Sequence, residues 1–207
     1  MTTVSEAIKK RHSARAFTDR DVDLETVKSI IQIAKQSPSG VNTQPWNVYV
    51  LSGDARDKLV NEATSRYDQG KMDGQEYLVY PKEMPDWYKE RRRAVGWAMY
   101  GAIGIEKGDT EKMMAQGRKN YEFFGAPIGI FITVKNCVGP NGWGHVGHFI
   151  QNVCLLAIEN GLATCLQEAW AELPKLVREH VDYPEDETLW CGIALGYEDE
   201  TDPVNQF

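Results

Sequence analysis

The chain of 207 residues has no long apolar segment and no excess of positive charge. Its longest apolar stretches, such as Ile128 to Val134, are far shorter than the roughly twenty residues that a membrane-spanning helix needs. The formal net charge of -7 argues against non-specific nucleic-acid binding, which requires a basic face to neutralise phosphates. The sequence therefore predicts no membrane span and no nucleic-acid partner.

Cysteine pairs, metal-ligand clusters and dinucleotide motifs are also missing. The cysteines form no C-x-x-C pair, and no charged-then-apolar leader precedes the helix that should begin near Thr3, which predicts a cytoplasmic protein. His145 and His148 are three residues apart, but no third histidine or paired carboxylate lies nearby, so we expect no metal site. The G-x-G-x-x-G fingerprint of a dinucleotide-binding domain is absent.

The length and the hydrophobic periodicity predict one layered α+β domain. Asp23 should cap a helix that ends where Ser37-Pro38 is incompatible with helical geometry. Further helices are predicted at 55–66 and, largely buried, at 146–158, and strands at 46–51, 128–134 and 188–196. Segment 67–121 mixes aromatics, methionines and arginines, which is typical of a cover over a pocket or of a partly buried helix pair.

Two arginines flank a serine in Arg11-His12-Ser13-Ala14-Arg15. Alternate side chains of an extended segment point the same way, so both guanidinium groups and Ser13 can converge on one phosphate or one planar polar ring. The alternative is a solvated charged surface. A second block, Ser37-Pro-Ser-Gly-Val-Asn-Thr-Gln-Pro-Trp46, has the residues of a rigid polar turn before a strand. Together the blocks predict an anion site beside a shaped loop.

Both blocks resemble those of the nitroreductase-like FMN-dependent oxidoreductase family, whose members carry R-x-S-x-R near the start and P-S-x-x-N-x-Q-P-W downstream. The stretch from Gly147 to Leu162 is similar to that family's buried helix and the glycine turn that follows it. The resemblance implies an α+β sandwich with a central, mostly antiparallel sheet flanked by helices. It also implies an intertwined homodimer, built from a single domain (1–207) with a variable helical lid at about 67–121.

The resemblance further implies a noncovalently bound FMN. Arg11 and Ser13 would bind its phosphate, and Arg15 would reach the pyrimidine edge, where a fixed cation stabilises the negative charge of the reduced ring. The loop from Pro38 would come from the other subunit and lie along the flavin. The residues expected to bind the cofactor are Arg11, His12, Ser13, Arg15, Pro38, Ser39, Gly40, Asn42, Gln44, Arg118, Leu166, Gln167, Glu168 and Ala169.

Several of these roles have alternatives. Asn42 and Gln44 can simply tie down their own turn, and Glu168 can be an exposed loop carboxylate whose backbone, rather than its side chain, is used. In the family, a backbone amide near Leu166 faces the flavin nitrogen that accepts hydride. A basic residue also returns to the phosphate after the last strand, whereas no Lys or Arg follows Glu198 here. One lost charged contact weakens binding by roughly 1.5–3 kcal/mol.

The expected activity is reduction of a nitroaromatic compound or a quinone, with hydride taken from NADH or NADPH in a ping-pong cycle. The flavin does the chemistry, so no side chain is assigned as catalytic. Trp87, Tyr88 and Arg92 are candidate substrate contacts, and an arginine there suggests an anionic substituent or, alternatively, a solvated helix face. The competing hypotheses are reductive dehalogenation or other flavin chemistry on the same scaffold, and flavin binding without turnover.

Overall fold

The computed structural model describes residues 2–207. Within that range, one antiparallel sheet has the order β1-β2-β4-β3. Its strands are β1 (Trp46–Ser52), β2 (Ile128–Lys135), β3 (Ala163–Gln167) and β4 (Glu187–Gly196). The two central strands are apolar and buried over almost their whole length, as expected for strands covered on both faces.

Helices cover both faces of the sheet, which confirms the predicted α+β sandwich. They are α1 (Val4–Lys10), α2 (Leu24–Ala34), α3 (Gly53–Asp68), α4 (Asp86–Ala102), α5 (Thr110–Arg118), α6 (Pro140–Glu159) and α7 (Pro174–Val181). Even-numbered residues of β2, such as Ile130 and Ile132, pack in the cluster with α2 and α6, whereas Phe131 faces the cluster that includes α3 and α7. This division follows from the two-residue period of a strand.

Local signals explain why several elements lie where the sequence places them. The Asp23 carboxylate accepts hydrogen bonds from the backbone N–H groups of Glu25 and Thr26 at 3.2 and 3.3 Å, so it caps α2 as predicted. Helix α6 begins before the predicted position 146, because Pro140 occupies its first turn, where the fixed φ of proline favours a helix.

Strand β3 and helix α7 were not predicted. Residues 165–167, for which the sequence predicted no secondary structure, pair with residues 192–194 of β4. Strand β3 has five residues, and Leu166 in it is 42 % exposed, so the strand lacks a continuous apolar signal. Residues 163–167 form a strand because they pair with β4.

The segment predicted as a lid lies mostly outside the core. Helix α4 has no buried residue, and Trp87 and Trp97 are 56 % and 41 % exposed. The segment is anchored at Asp73, whose carboxylate accepts hydrogen bonds from the N–H groups of Lys175 and Leu176 at the start of α7. No helix within residues 2–207 has the length and apolar character needed to cross a bilayer.

Candidate functional site

The R-x-S-x-R segment lies along the free edge of β3. Ser13 forms a parallel bridge with Thr164, and the N–H of Ala14 donates to the Thr164 carbonyl at 3.1 Å. Arg15 is held by a residue distant in the sequence, because its backbone N–H donates to Oδ1 of Asn205 at 2.7 Å. The segment is therefore extended next to the sheet, which is the conformation in which the side chains of alternate residues point the same way.

Both arginines of the segment lack a carboxylate partner within residues 2–207. Arg11 makes no side-chain hydrogen bond or ion pair there, and the Arg15 guanidinium donates to the Ser13 carbonyl at 3.0 Å and lies 5.3 Å from the Phe207 ring. His12, between them, is instead held by Glu198 at 2.8 Å. Two cations without counter-charges are thus available to an anion, and the imidazole of His12 is engaged elsewhere.

The edge of β3 stays open beyond the Ser13 bridge. The Thr164 carbonyl points outward, away from β4, because it accepts from Ala14. Since backbone groups alternate in direction along an antiparallel strand, the Leu166 N–H and C=O also point outward. An outward amide at this position can donate to a ring nitrogen, as the sequence interpretation expects.

A cavity lies against this open edge. Leu166, Gln167, Glu168 and Ala169 line it from the β3 side, and Tyr80 and Asn120 line it from other segments. The Gln167 side chain donates to the Asn120 carbonyl at 2.6 Å, which fixes residues 119–121 relative to the strand. The cavity therefore combines an apolar side chain, a strand edge and an aromatic ring, which suits a flat ligand.

Glu168 is the carboxyl group at the end of this edge. Within residues 2–207 it makes no hydrogen bond or ion pair, and partial burial raises its pKa. Its charge also contributes to raising the pKa of Tyr80, second to the burial of that phenol. A carboxyl group that holds its proton more readily than usual thus lines the cavity.

A second cavity, of about 250 Å³, lies beside Arg15. Tyr100 of α4, Gln116 of α5, Asn120 and Phe124 line it as well, so it shares Asn120 with the first cavity. Arg118, the residue that the sequence interpretation chose from this part of the chain, forms ion pairs with Asp68 at 2.9 Å and with Glu122. Its role at the cofactor stays a prediction.

The loop of residues 38–44 is anchored to α6 rather than to the arginine segment. The Pro38 carbonyl lies 3.3 Å from Nδ1 of His148, and the N–H of Gly40 lies 3.3 Å from Nε2 of His145. The Gln44 side chain donates to the Lys35 carbonyl at 3.2 Å, so it does tie down its own turn. No hydrogen bond joins residues 38–44 to residues 11–15 in the described part of the chain.

The same loop is strained and exposed. Val41, Asn42 and Gln44 have φ angles of 45°, 56° and 45°, a region that residues other than glycine rarely adopt, and Val41 is 97 % exposed. Strain of this kind persists where the surrounding structure enforces it, and it is concentrated at binding sites. The loop therefore combines a strained backbone with an exposed apolar side chain.

The candidate substrate residues lie at the start of α4. The rings of Trp87 and Tyr88 meet edge to face with centroids 5.6 Å apart, and the Arg91 guanidinium lies 5.3 Å from the Trp87 ring. The Arg92 guanidinium lies 4.9 Å from the ring of Tyr80, which lines the cavity at the β3 edge. Arg92 therefore reaches the rim of this cavity, and Trp87 remains largely exposed.

Known proteins share this fold and are similar in sequence. The profile described as "Nitroreductase family" matches residues 8–197. The chain belongs to the nitroreductase family, as the two sequence blocks indicated.

The similarity extends over almost the whole chain. The 4-nitrobenzoate reductase of Nocardioides sp. (strain LMS-CY) is 35 % identical over 202 residues, which are 95 % of this chain and 81 % of that protein. The FMN and NADPH-dependent nitroreductase NfnB from sphigopyxis sp. strain HMH superposes with a TM-score of 0.94 at 38 % identity, covering 99 % of this chain and 92 % of that chain. NfnB from Mycobacterium smegmatis, solved in complex with NADPH, gives a TM-score of 0.92 at 29 % identity, covering 98 % and 90 %.

Proposed function

We propose that this protein is an FMN-dependent oxidoreductase that uses NADH or NADPH to reduce nitroaromatic compounds. The observation that carries the proposal is the pair Arg11 and Arg15, which flank Ser13 at the open edge of β3 and have no counter-charge within residues 2–207. A phosphate and a ring that becomes anionic on reduction are the partners that such a pair suits. The relatives named above support the same activity.

The residues present fit FMN. Arg11 and Ser13 would bind the phosphate, Arg15 would lie at the pyrimidine edge, and the outward amide of Leu166 would donate to the ring. When bound, FMN would supply the hydride-transfer chemistry between a nicotinamide and a nitro group. The protein positions both partners on one ring face in turn, so a separate dinucleotide-binding domain is not required.

We further propose that the site is completed by a second copy of the chain. The loop of residues 38–44 would extend from each protomer to the flavin of the other, which accounts for its exposure and for its lack of contact with residues 11–15 of its own protomer. Residues 67–121 would act as the lid of a single domain. A monomer that binds FMN fully in light scattering would contradict this assembly.

The test begins with the purified apo protein and a titration with FMN, followed by anaerobic addition of NADPH or NADH and then of 4-nitrobenzoate. We expect a yellow protein that bleaches and regains its colour, with a hydroxylamine or amine as product. A protein that does not take up FMN would overturn the proposal. Bleaching without turnover of the acceptor would favour flavin binding alone, and loss of halide from a halogenated phenol would favour dehalogenation.

A variant pair ties the binding to the arginine segment. Arg11→Met should weaken FMN binding by roughly tenfold to a hundredfold, since a charged hydrogen bond contributes about 1.5–3 kcal/mol. Arg93→Met is the matched control, because Arg93 is exposed on α4 and lines neither of the two cavities described above. Equal effects of the two substitutions would show only a general loss of positive charge.

Arg92 suits a substrate that carries a carboxylate. Two carboxyl groups, Glu168 and Glu172, line the cavity, so an anionic substituent needs a cation at the rim, and Arg92 lies there against Tyr80. Arg92→Glu should raise the KM for 4-nitrobenzoate by about tenfold, the equivalent of about 1.4 kcal/mol, with little effect on nitrobenzene. Arg93→Glu is the control for net charge. A similar change for both substrates would contradict this role.

A further inference from the structure

Gln116 is a buried polar side chain without a partner. It is 6 % exposed, it makes no hydrogen bond within residues 2–207, and its Nε2 atom is completely buried. A buried amide that loses its hydrogen bonds to water destabilises the fold unless another group replaces them. Such an amide in a cavity indicates a partner that the chain itself does not supply.

The end of α5 is held so that Gln116 faces inward. A Cβ atom on Gly117 would lie 2.9 Å from the Tyr67 hydroxyl, so only glycine admits that phenol, which donates to the Met114 carbonyl at 3.2 Å. One residue further on, Arg118 is fixed by its ion pairs with Asp68 and Glu122. These contacts fix the rotation of the last helical turn, and Gln116 lies on the side that lines the cavity.

The cavity at Gln116 also contains Arg15 and Asn120, and through Asn120 it adjoins the cavity at the open edge of β3. A flat ring seated against the Leu166 edge would therefore extend a polar edge toward Gln116 and Arg15. The pyrimidine edge of a flavin alternates carbonyl, N–H and carbonyl groups. A carboxamide complements that pattern whichever way its nitrogen and oxygen are turned.

We propose that the Gln116 carboxamide hydrogen-bonds the pyrimidine edge of the bound flavin and, with Arg15, sets its orientation and its reduction potential. This assignment rests on the proposed function. Gln116 is a positioning residue here: it contacts the part of the ring that becomes negatively charged on reduction, and it takes no part in hydride transfer itself.

The decisive substitution is Gln116→Met, which keeps the length of the side chain and removes its polar atoms. We expect the apo protein to unfold at the same temperature or a higher one, because an unsatisfied buried amide is lost. FMN affinity, measured by quenching of flavin fluorescence, should fall by about tenfold, the effect of losing one buried hydrogen bond. Gln69→Met is the matched control, since that exposed amide bonds Ser65 outside both cavities.

A second substitution gives a readout independent of turnover. Gln116→Glu keeps the size of the side chain but places a carboxylate beside the ring, which disfavours the anionic reduced flavin. We expect a more negative midpoint potential for the bound flavin than in the wild-type protein and in Gln69→Met. The sign of this shift separates contact with the ring from a general packing effect.

The outcomes distinguish this inference from the proposed function. If the wild-type protein binds FMN and both Gln116 variants bind it equally tightly with an unchanged potential, the Gln116 assignment is wrong and the proposed function stands. If Gln116→Met lowers the melting temperature of the apo protein without changing FMN affinity, Gln116 is a structural residue. If the wild-type protein binds no FMN, both proposals fail.

Discussion

Gly192 in the centre of β4 allows the indole of Trp170 to lie directly on the sheet. A Cβ atom at this position would lie 2.3 Å from Cδ1 and 3.0 Å from Nε1 of that indole. Carbon atoms in favourable contact are about 3.5–4.0 Å apart, so Gly192→Ala must separate the strand and the ring by roughly 1.2 Å. The substitution therefore measures how rigidly this side of the site is supported.

Trp170 has no room to move away. It is completely buried, it stacks on Phe123 with centroids 4.8 Å apart, and it meets Phe131 and Tyr121 edge to face at 5.1 and 5.3 Å. Overpacking of a core costs about 1–3 kcal/mol, and we expect the upper end here because every neighbour is itself fixed. For a chain of this size, that loss lowers the melting temperature by roughly 6–12 °C.

The assay is thermal unfolding of the apo protein at one fixed protein concentration, since self-association would make the melting temperature depend on concentration. Gly101→Ala is the control: no atom lies within 4 Å of the added Cβ, and alanine favours a helix over glycine by up to about 1 kcal/mol. We expect a small rise in melting temperature for Gly101→Ala and a large fall for Gly192→Ala. An unchanged melting temperature for Gly192→Ala would refute the reasoning, because it would show that Trp170 relaxes freely.

Two further substitutions test the cavity at the β3 edge and the contact of Asp73 with the start of α7. Partial burial raises the pKa of the Glu168 carboxyl above its usual value of 4.5. The protonated carboxyl therefore contributes stability below pH 4.5, and this contribution is lost as the pH rises through the pKa of the folded state. Glu168→Gln should therefore be more stable than wild type in urea at neutral pH and equal to it in acid; the reverse order would contradict the burial argument. Asp73→Ala should lower stability by about 1–2 kcal/mol through loss of the α7 cap and speed proteolysis within residues 69–85. Asp86→Ala is the control, because that carboxylate is 90 % exposed, and it should change neither the stability nor the rate of proteolysis.

Elements with strong local signals could be predicted from the sequence. Strands β1, β2 and β4 carry apolar runs, and α2 has both an Asp23 cap and a regular apolar face. Strand β3 could not be predicted, because the exposed side chain of Leu166 interrupts its apolar pattern. The strand also depends on pairing with β4, which is distant in the sequence. The arginine segment was predicted as extended because its alternation is local, but its neighbour Thr164 is a product of the tertiary fold.

Arg118, which the sequence predicts at the cofactor, and Gln116, which is proposed above, show the same limit at the level of single residues. Both lie in the last turn of α5, and a charged residue is the natural choice when an anionic cofactor is expected. The direction of each side chain depends on Tyr67 packing against Gly117 and on the carboxylates of Asp68 and Glu122, none of which is apparent from local sequence. A buried amide without a partner becomes visible only once the tertiary structure is known.

The open edge of β3 connects these separate observations. An exposed strand edge offers unpaired backbone groups and promotes aggregation unless something covers it. Ser13 covers it at Thr164, but the outward groups of Leu166 remain uncovered by the strands of this sheet. A ring seated there would satisfy that amide, place its phosphate side toward Arg11 and its polar edge toward Arg15 and Gln116, and leave one face open to the cavity beside Tyr80. The proposed binding site thus joins the strand edge, the buried amide of Gln116 and two cations that have no carboxylate partner within residues 2–207.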